Sequence, residues 1–395
     1  MKIIVGGVIS LQPFSAGNAW DRLHYAIGLQ QLGHEVLFLE EIEPEWCVDR
    51  EGRRVPLEQS VNRKVFRELM RRFQLESHAC QIYDGGRAIE GMSRPALISW
   101  AGEADLLLNI SGHVRSEDVL ANVRRRAYLD QDPVFTQLWR AAYGKSLGLE
   151  RHDVFLTVGL NIGTARSPIP DCGLPWRHTL PPVVLGCWPD RGARGGTARS
   201  ARFTTIASWS GFKDVSYGGE WYQSKYVEFA RFAELPRRAA GEFQVALKDF
   251  REQDDGIRLL RENGWILSRA GAIADLDRYR EFISASDAEI GIAQNAYVKG
   301  RSGWFSDRTA QYLASGRPAL LESTGFEREL PTGEGVLTFN TMEEAVAGVE
   351  AIDRGYERHG RAAREFALEY LDSARVLPRM LELCDASREE IACPR

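Results

Sequence analysis

The sequence predicts an α/β protein of two Rossmann-like, doubly wound parallel-sheet domains that face a central cleft. Three observations predict it. Short apolar runs rich in Val, Ile and Leu recur, and each is followed by residues of helical spacing. The alternation comes in two blocks, separated by a proline- and glycine-rich interval. The 395 residues, 44% of them hydrophobic, supply two cores of ordinary domain size.

The elements follow in order. Lys2 to Ile9 is a continuous apolar run, as in a parallel strand buried on both faces. Trp20 to Leu32 keeps helical spacing and ends at Gly33, a C-cap position, before a second strand over Glu35 to Leu39. Further strands fit Asp105 to Ile110, Arg126 to Leu129 and Val154 to Val158. Residues 161–190 lose periodicity, and the basic, glycine-rich stretch 191–202 reads as an exposed linker or an anion-binding loop. The second block has strands at Phe203 to Ser208, Phe243 to Leu247, Trp265 to Ser268, Glu289 to Ala293 and Pro318 to Leu321. Its helices fall at Ser224 to Phe232, Leu276 to Ala285, Asp307 to Ala314, Thr341 to Ile352 and Gly360 to Tyr370. The expected division is 1–195, 196–375 and a C-terminal helix over 376–395 that packs back on the first domain.

Composition narrows the function. A net charge of −5 gives no global basic field, so nucleic acid is not an expected partner. The six cysteines form no C-x-x-C pair, against a zinc ribbon or a disulfide framework, and read as reduced thiols in a cytoplasmic protein. No run approaches 18 uninterrupted apolar residues, so no transmembrane helix is expected. A nicotinamide fold would need G-x-G-x-x-G between the first strand and helix, and the sequence has none there.

Ligands of such sheets bind beyond the carboxyl ends of the strands. The most informative segment is Lys299 to Pro318. Ser306 is a good N-cap, Gly316 a C-cap glycine and Pro318 a stop, so a short helix there has signals at both ends. Its free backbone N–H groups, with Lys299, Arg301 and Arg308 nearby, suit a pyrophosphate. Asp307 and Gln311, four apart on one helical face, are placed to accept hydrogen bonds from ribose hydroxyls.

Gln311-Tyr-Leu-Ala-Ser-Gly-Arg-Pro-Ala319 resembles the E-A-M-A-x-G-x-P-V stretch of retaining GT-B glycosyltransferases of the group 1, family 4-like kind. Ser15 to Asn18 and Leu29 to Val36 are similar to the glycine loop, helix and L-x-x-x-G-H-E-V strand entry of the same families, and Lys225 stands where they place a phosphate-binding lysine. The resemblance covers nearly the whole chain. It implies the GT-B fold and metal-independent transfer from a nucleoside-diphosphate sugar, a substrate rather than a cofactor, to a hydroxyl or amine of a small-molecule, natural-product or glycan acceptor. It implies ribose binding at Gln311, where those families carry glutamate. Gly303 stands in place of their second glutamate and Glu220 in place of an arginine, so the retaining subclass does not follow. A nucleotide-sugar epimerase and a non-catalytic sugar-binding module are the rival readings.

Other candidates lie near predicted strand ends. Gly17 and Asn18 let the backbone approach the donor, or form a turn of positive φ. His24, oriented by Asp21, is a candidate base or a satisfied helix histidine. His113 is placed to touch the transferred sugar. Asp130 and Asp132 are candidates for a base, for hydroxyl binding or, as a D-x-D pair, for a metal. Glu40 is an acceptor ligand in this reading, and Trp176 a stacking platform or interdomain core.

Overall fold

The computed structural model describes residues 1–190, 201–249 and 251–385. In the first domain the chain runs β1 (Lys2–Gly6), α1 (Ala16–Gln31), β2 (Glu35–Ile42), α2 (Val61–Arg72), β3 (Ala79–Tyr83), β4 (Ala88–Glu90) and α3 (Arg94–Glu103). It continues through β5 (Leu106–Ile110), α4 (Glu117–Asn122), β6 (Arg126–Asp130), α5 (Phe135–Tyr143), β7 (Val154–Thr157) and β8 (Trp176–His178). These strands form one sheet in the order β4-β3-β2-β1-β5-β6-β7-β8. All neighbours are parallel except β3 and β4. β1 carries Ile3, Ile4 and Val5 with both faces buried, which is why an unalternating apolar run is stable there.

The second domain begins with β9 (Arg202–Ser208), a hairpin of β10 (Val215–Tyr217) and β11 (Glu220–Tyr222), α6 (Lys225–Arg231), α7 (Leu235–Arg238) and β12 (Glu242–Lys248). Then come α8 (Asp255–Glu262), β13 (Ile266–Arg269), α9 (Leu276–Ala285), β14 (Ala288–Gly291), α10 (Asn295–Lys299), α11 (Asp307–Ala314), β15 (Ala319–Glu322) and β16 (Val336–Phe339). α12 (Met342–Arg354), α13 (Tyr356–Phe366) and α14 (Ser373–Asp385) follow. The sheet order is β13-β12-β9-β14-β15-β16, all parallel. In both sheets the order reverses about the first strand, β1 between β2 and β5, and β9 between β12 and β14. A parallel sheet opens its binding crevice at that reversal, so the two crevices fix where the site lies.

Local signals set the helix ends. The Ser306 hydroxyl accepts the Arg308 N–H at the start of α11, and at its other end Gly316 takes φ +68°, which costs a glycine nothing. Thr341 and Glu344 form a reciprocal capping box on α12. The domains share a core: Trp20 of α1 packs against Trp188 and donates from its indole to Leu276 O at 3.2 Å. α14 packs against α1, and Val183 pairs with the returning chain, its N–H on Leu371 O at 2.8 Å and its carbonyl accepting Ser373 N–H at 2.9 Å.

The structure departs from the sequence reading in places. Residues 161–190 contain β8, whose three residues Trp-Arg-His give no apolar run. The helix expected over Gly360 to Tyr370 starts earlier, at Tyr356, and gives way at Ala367–Leu371 to a wider π turn. Of the expected linker, residues 191–200 lie outside the described residues, and Arg202 already belongs to β9. No helix among the described residues is long and apolar enough to cross a membrane.

Candidate active site

A cavity of about 520 Å³ lies between the domains, beyond the carboxyl ends of β1, β5, β6 and β9. Its first-domain wall is built by Gly17, Asn18 and Asp21 on the first turns of α1, by His113 after β5 and by Asp132 after β6. The facing wall presents Lys225 at the start of α6, Tyr279 of α9, and Ser306, Asp307 and Arg308 at the start of α11.

The cations of the second wall are held firmly. Arg308 donates from Nε to Glu289 Oε1 at 2.7 Å and from Nη1 to Ile206 O at 2.7 Å. Lys225 Nζ donates to Ile292 O at 2.8 Å. Burial, reinforced by the Arg308 charge, lowers the Lys225 ammonium to about 7. The first wall is acidic. Burial pushes Asp21 up to about 7 against the pull of Arg22, whose Nη1 sits 2.8 Å from its Oδ2, and Gln131 Nε2 donates to the same oxygen at 2.7 Å. Burial, then the neighbouring Asp130, pushes Asp132 up to about 7. His113 is lowered to about 4 by burial and then by Arg22 and Arg115, so it is a neutral imidazole at pH 7.

Gly17 and Asn18 stand in the first turn of α1 rather than in a loop, and Gly17 is not in the left-handed region. The position is tight: a Cβ there would lie 3.0 Å from Tyr279 Oη across the cleft, so a side chain would have to displace the tyrosine. Asn18 Nδ2 donates to Val8 O at 2.7 Å, tying α1 to the end of β1.

Several expected site residues lie elsewhere. His24 is buried against Trp188, its ring nitrogens facing Val184 N and Trp188 Nε1 at 3.1 and 3.0 Å, and burial lowers it to about 3; it is a core histidine. Glu40 is fully buried and accepts the Ile9, Ser10 and Leu11 N–H groups, so it braces the loop after β1 instead of meeting an acceptor. Asp130 turns inward to Thr136, Gln137 and Thr157, organising the turn from which Asp132 reaches the cleft. Trp176 packs edge-on against Tyr128 and Phe155, within the core.

Lys299 sits on the surface, paired with Glu220 and donating to Trp221 O. Arg301 lines a separate hollow with Arg166 and Arg328. Gln311 is fully buried, off the cavity wall, and its amide atoms have no hydrogen-bond partner among the described residues. Helical periodicity locates a helix and its cap, but not which of its side chains, or of those in the loop before it, face the cleft.

The cavity also takes in Arg22, Gln131, Lys248, Tyr279, Gln294 and Tyr297, which the sequence did not single out. Arg22 and Gln131 were legible as neighbours of Asp21 and Asp132. Tyr279 lay inside a predicted helix with no signal of its own, and α10, which carries Tyr297, was not predicted.

Two reversed sheets with a charged cavity between their crevices define a two-domain, doubly wound α/β architecture. No family model matches the chain, and no curated protein matches it in sequence. Solved structures do. An alpha-glucosyltransferase in complex with UDP and a 13-mer DNA superposes with a TM-score of 0.58 at 12% identity, over 98% of this chain and 100% of that one. Sucrose-phosphate synthase from Thermosynechococcus elongatus gives 0.51 at 12% identity, over 99% and 100%. AviGT4, a glycosyltransferase involved in Avilamycin A biosynthesis, gives 0.50 at 14% identity, over 98% and 99%. The fold of this chain is GT-B, the architecture of those glycosyltransferases.

Proposed function

We propose that this protein transfers a sugar from a nucleoside diphosphate donor to an acceptor hydroxyl or amine, with protein cations rather than a metal ion balancing the leaving diphosphate. One observation carries the reading: two buried cations, Lys225 and Arg308, converge from different helices on one cavity wall at the capped start of α11. Cations and helix N–H groups stabilise a diphosphate as the bond to the sugar breaks. The UDP bound by the alpha-glucosyltransferase of like fold makes a uridine donor the first to try.

The acceptor lies in this proposal against Asp21, His113 and Asp132. Asp132, with its proton affinity near working pH, takes the acceptor proton, and neutral His113 donates to or accepts from a sugar hydroxyl. Although that structurally similar enzyme was solved with DNA, the net charge of −5 gives this chain no global basic field for a polyanion, which supports a small molecule or glycan. A thermal-shift screen of UDP-, dTDP- and GDP-sugars tests the donor reading, since selective binding raises the melting point by mass action. Stabilisation by one nucleotide series is expected, and none by any would refute it. Consumption of the donor without any acceptor, giving an isomeric nucleotide sugar, would instead establish the epimerase.

A further inference from the structure

Glu289 lies in the middle of β14, where it pairs in register with Thr204 of β9 and Ala319 of β15, and it is fully buried. A carboxylate in the centre of a parallel sheet is costly to desolvate. It serves neither a cap nor a turn. Its Oε1 accepts Nε of Arg308 at 2.7 Å, while its Oε2 has no hydrogen-bond partner among the described residues. The Arg308 guanidinium is thus clamped on its inner side, between Glu289 and Ile206 O, and lines the cleft beside Lys225.

We infer that Glu289 is a positioning residue that holds Arg308 in the orientation needed to meet the diphosphate of the donor. The inference rests on the donor-site reading above and adds to it the residue that fixes the anion-binding geometry from behind. A guanidinium engages a phosphate best when its plane is set beforehand, because less freedom is lost on binding. Glu289 sets that plane through its reach, while its charge offsets that of Arg308 in the core.

Two substitutions separate reach from charge. Glu289→Gln keeps an oxygen at the same distance for Arg308 Nε and removes the charge. Glu289→Asp keeps the charge and draws the oxygen back by one methylene. Calorimetric titration with inorganic pyrophosphate, which needs no knowledge of the base or the sugar, should show Kd raised at least tenfold in Glu289→Asp and within threefold of wild type in Glu289→Gln. The melting temperatures should run the other way, since the glutamine variant leaves Arg308 uncompensated in the core. A merely structural role would move affinity and melting temperature in the same order, so equal affinities or the reverse order of affinities overturns the inference. If the glutamine variant does not fold, the aspartate variant decides alone, and wild-type affinity in it is the refuting result. Failure of the wild-type chain to bind either pyrophosphate or any nucleotide sugar would refute the donor site itself.

Discussion

The lowered proton affinity of Lys225 makes donor binding depend on pH in a calculable way. In the empty cleft its ammonium titrates at about 7, below the ordinary 10.5. Only the charged form helps to hold a diphosphate, and a charge-assisted hydrogen bond contributes about 1.5–3 kcal/mol. That energy raises the bound-state value by about one to two units, at about 1.4 kcal/mol per unit. The sign follows: well below pH 7 the ammonium is already present and Kd is flat, and above it binding must take up a proton. Between pH 6 and 10 the Kd of a nucleotide sugar should therefore rise by about ten- to a hundredfold before levelling. A nucleotide sugar is the right probe, because a diphosphate esterified at both ends does not titrate in this range.

Asp21 and Asp132 also titrate near 7 in this cavity, and their ionisation weakens anion binding in the same direction. Lys225→Met removes the lysine contribution and leaves theirs. By calorimetry the variant should bind about ten- to a hundredfold more weakly at pH 6 and converge on the wild type by pH 10. A constant ratio of the two Kd values across that range, or equal affinities at pH 6, would refute the assignment of Lys225 to the diphosphate.

Further outcomes follow from other groups. The folded-state value of Asp132, raised to about 7 from 3.8, means that its ionisation opposes folding, and the penalty grows as pH rises from the unfolded to the folded value. Asp132→Asn should therefore raise the melting temperature at pH 8 by about 3 °C or more and leave it unchanged at pH 4, while transfer falls about a hundredfold if the carboxylate is the base. Gly17→Val should drive Tyr279 out of the cleft and raise the donor KM with little loss of far-UV dichroism. His24→Leu should cost about 1–3 kcal/mol of stability in denaturant titration, because one buried N–H donor of the Val184–Trp188 segment loses its acceptor, with kcat of the folded fraction unchanged. Activity should survive EDTA, and restoration by manganese of activity lost to the chelator would contradict charge balance by Lys225 and Arg308.

The fold was legible because burial leaves long-range regularity in the chain: the unalternating strand at Ile3 to Val5 and the capped helix between Ser306 and Gly316 both stand in the structure as read. Pieces whose stability comes from tertiary neighbours were not legible. β8 has three residues, and the β10–β11 hairpin is held by packing of Val215 and Tyr222 against aromatic residues of both domains. In the site, the family resemblance pointed to Lys225, the capped helix to Arg308, and position after a predicted strand to His113 and Asp132, and these four line the cavity. The same criteria chose Glu40 and Asp130, because a carboxylate after a strand satisfies backbone amides as readily as it meets a ligand. Nothing local distinguishes the two uses; Glu40 is consumed by three N–H groups of the loop after β1, a contact 30 residues away in sequence.

The route of the chain at Val183 bears on how the molecule can be dissected. After the second sheet is complete, the backbone comes back to pair with Val183 and ends as α14 on α1. The amino-terminal half is therefore discontinuous in sequence, finished by residues that follow all of the other half. A fragment cut near residue 190 would leave the α14-facing side of α1, where Gly28 meets Leu377 and Ser373, open to water and prone to association. A split protein should regain its structure only when the fragment carrying Leu377 and Met380 is supplied, and a designer exchanging nucleotide-binding halves between such proteins must leave residues 373–385 with the amino-terminal partner.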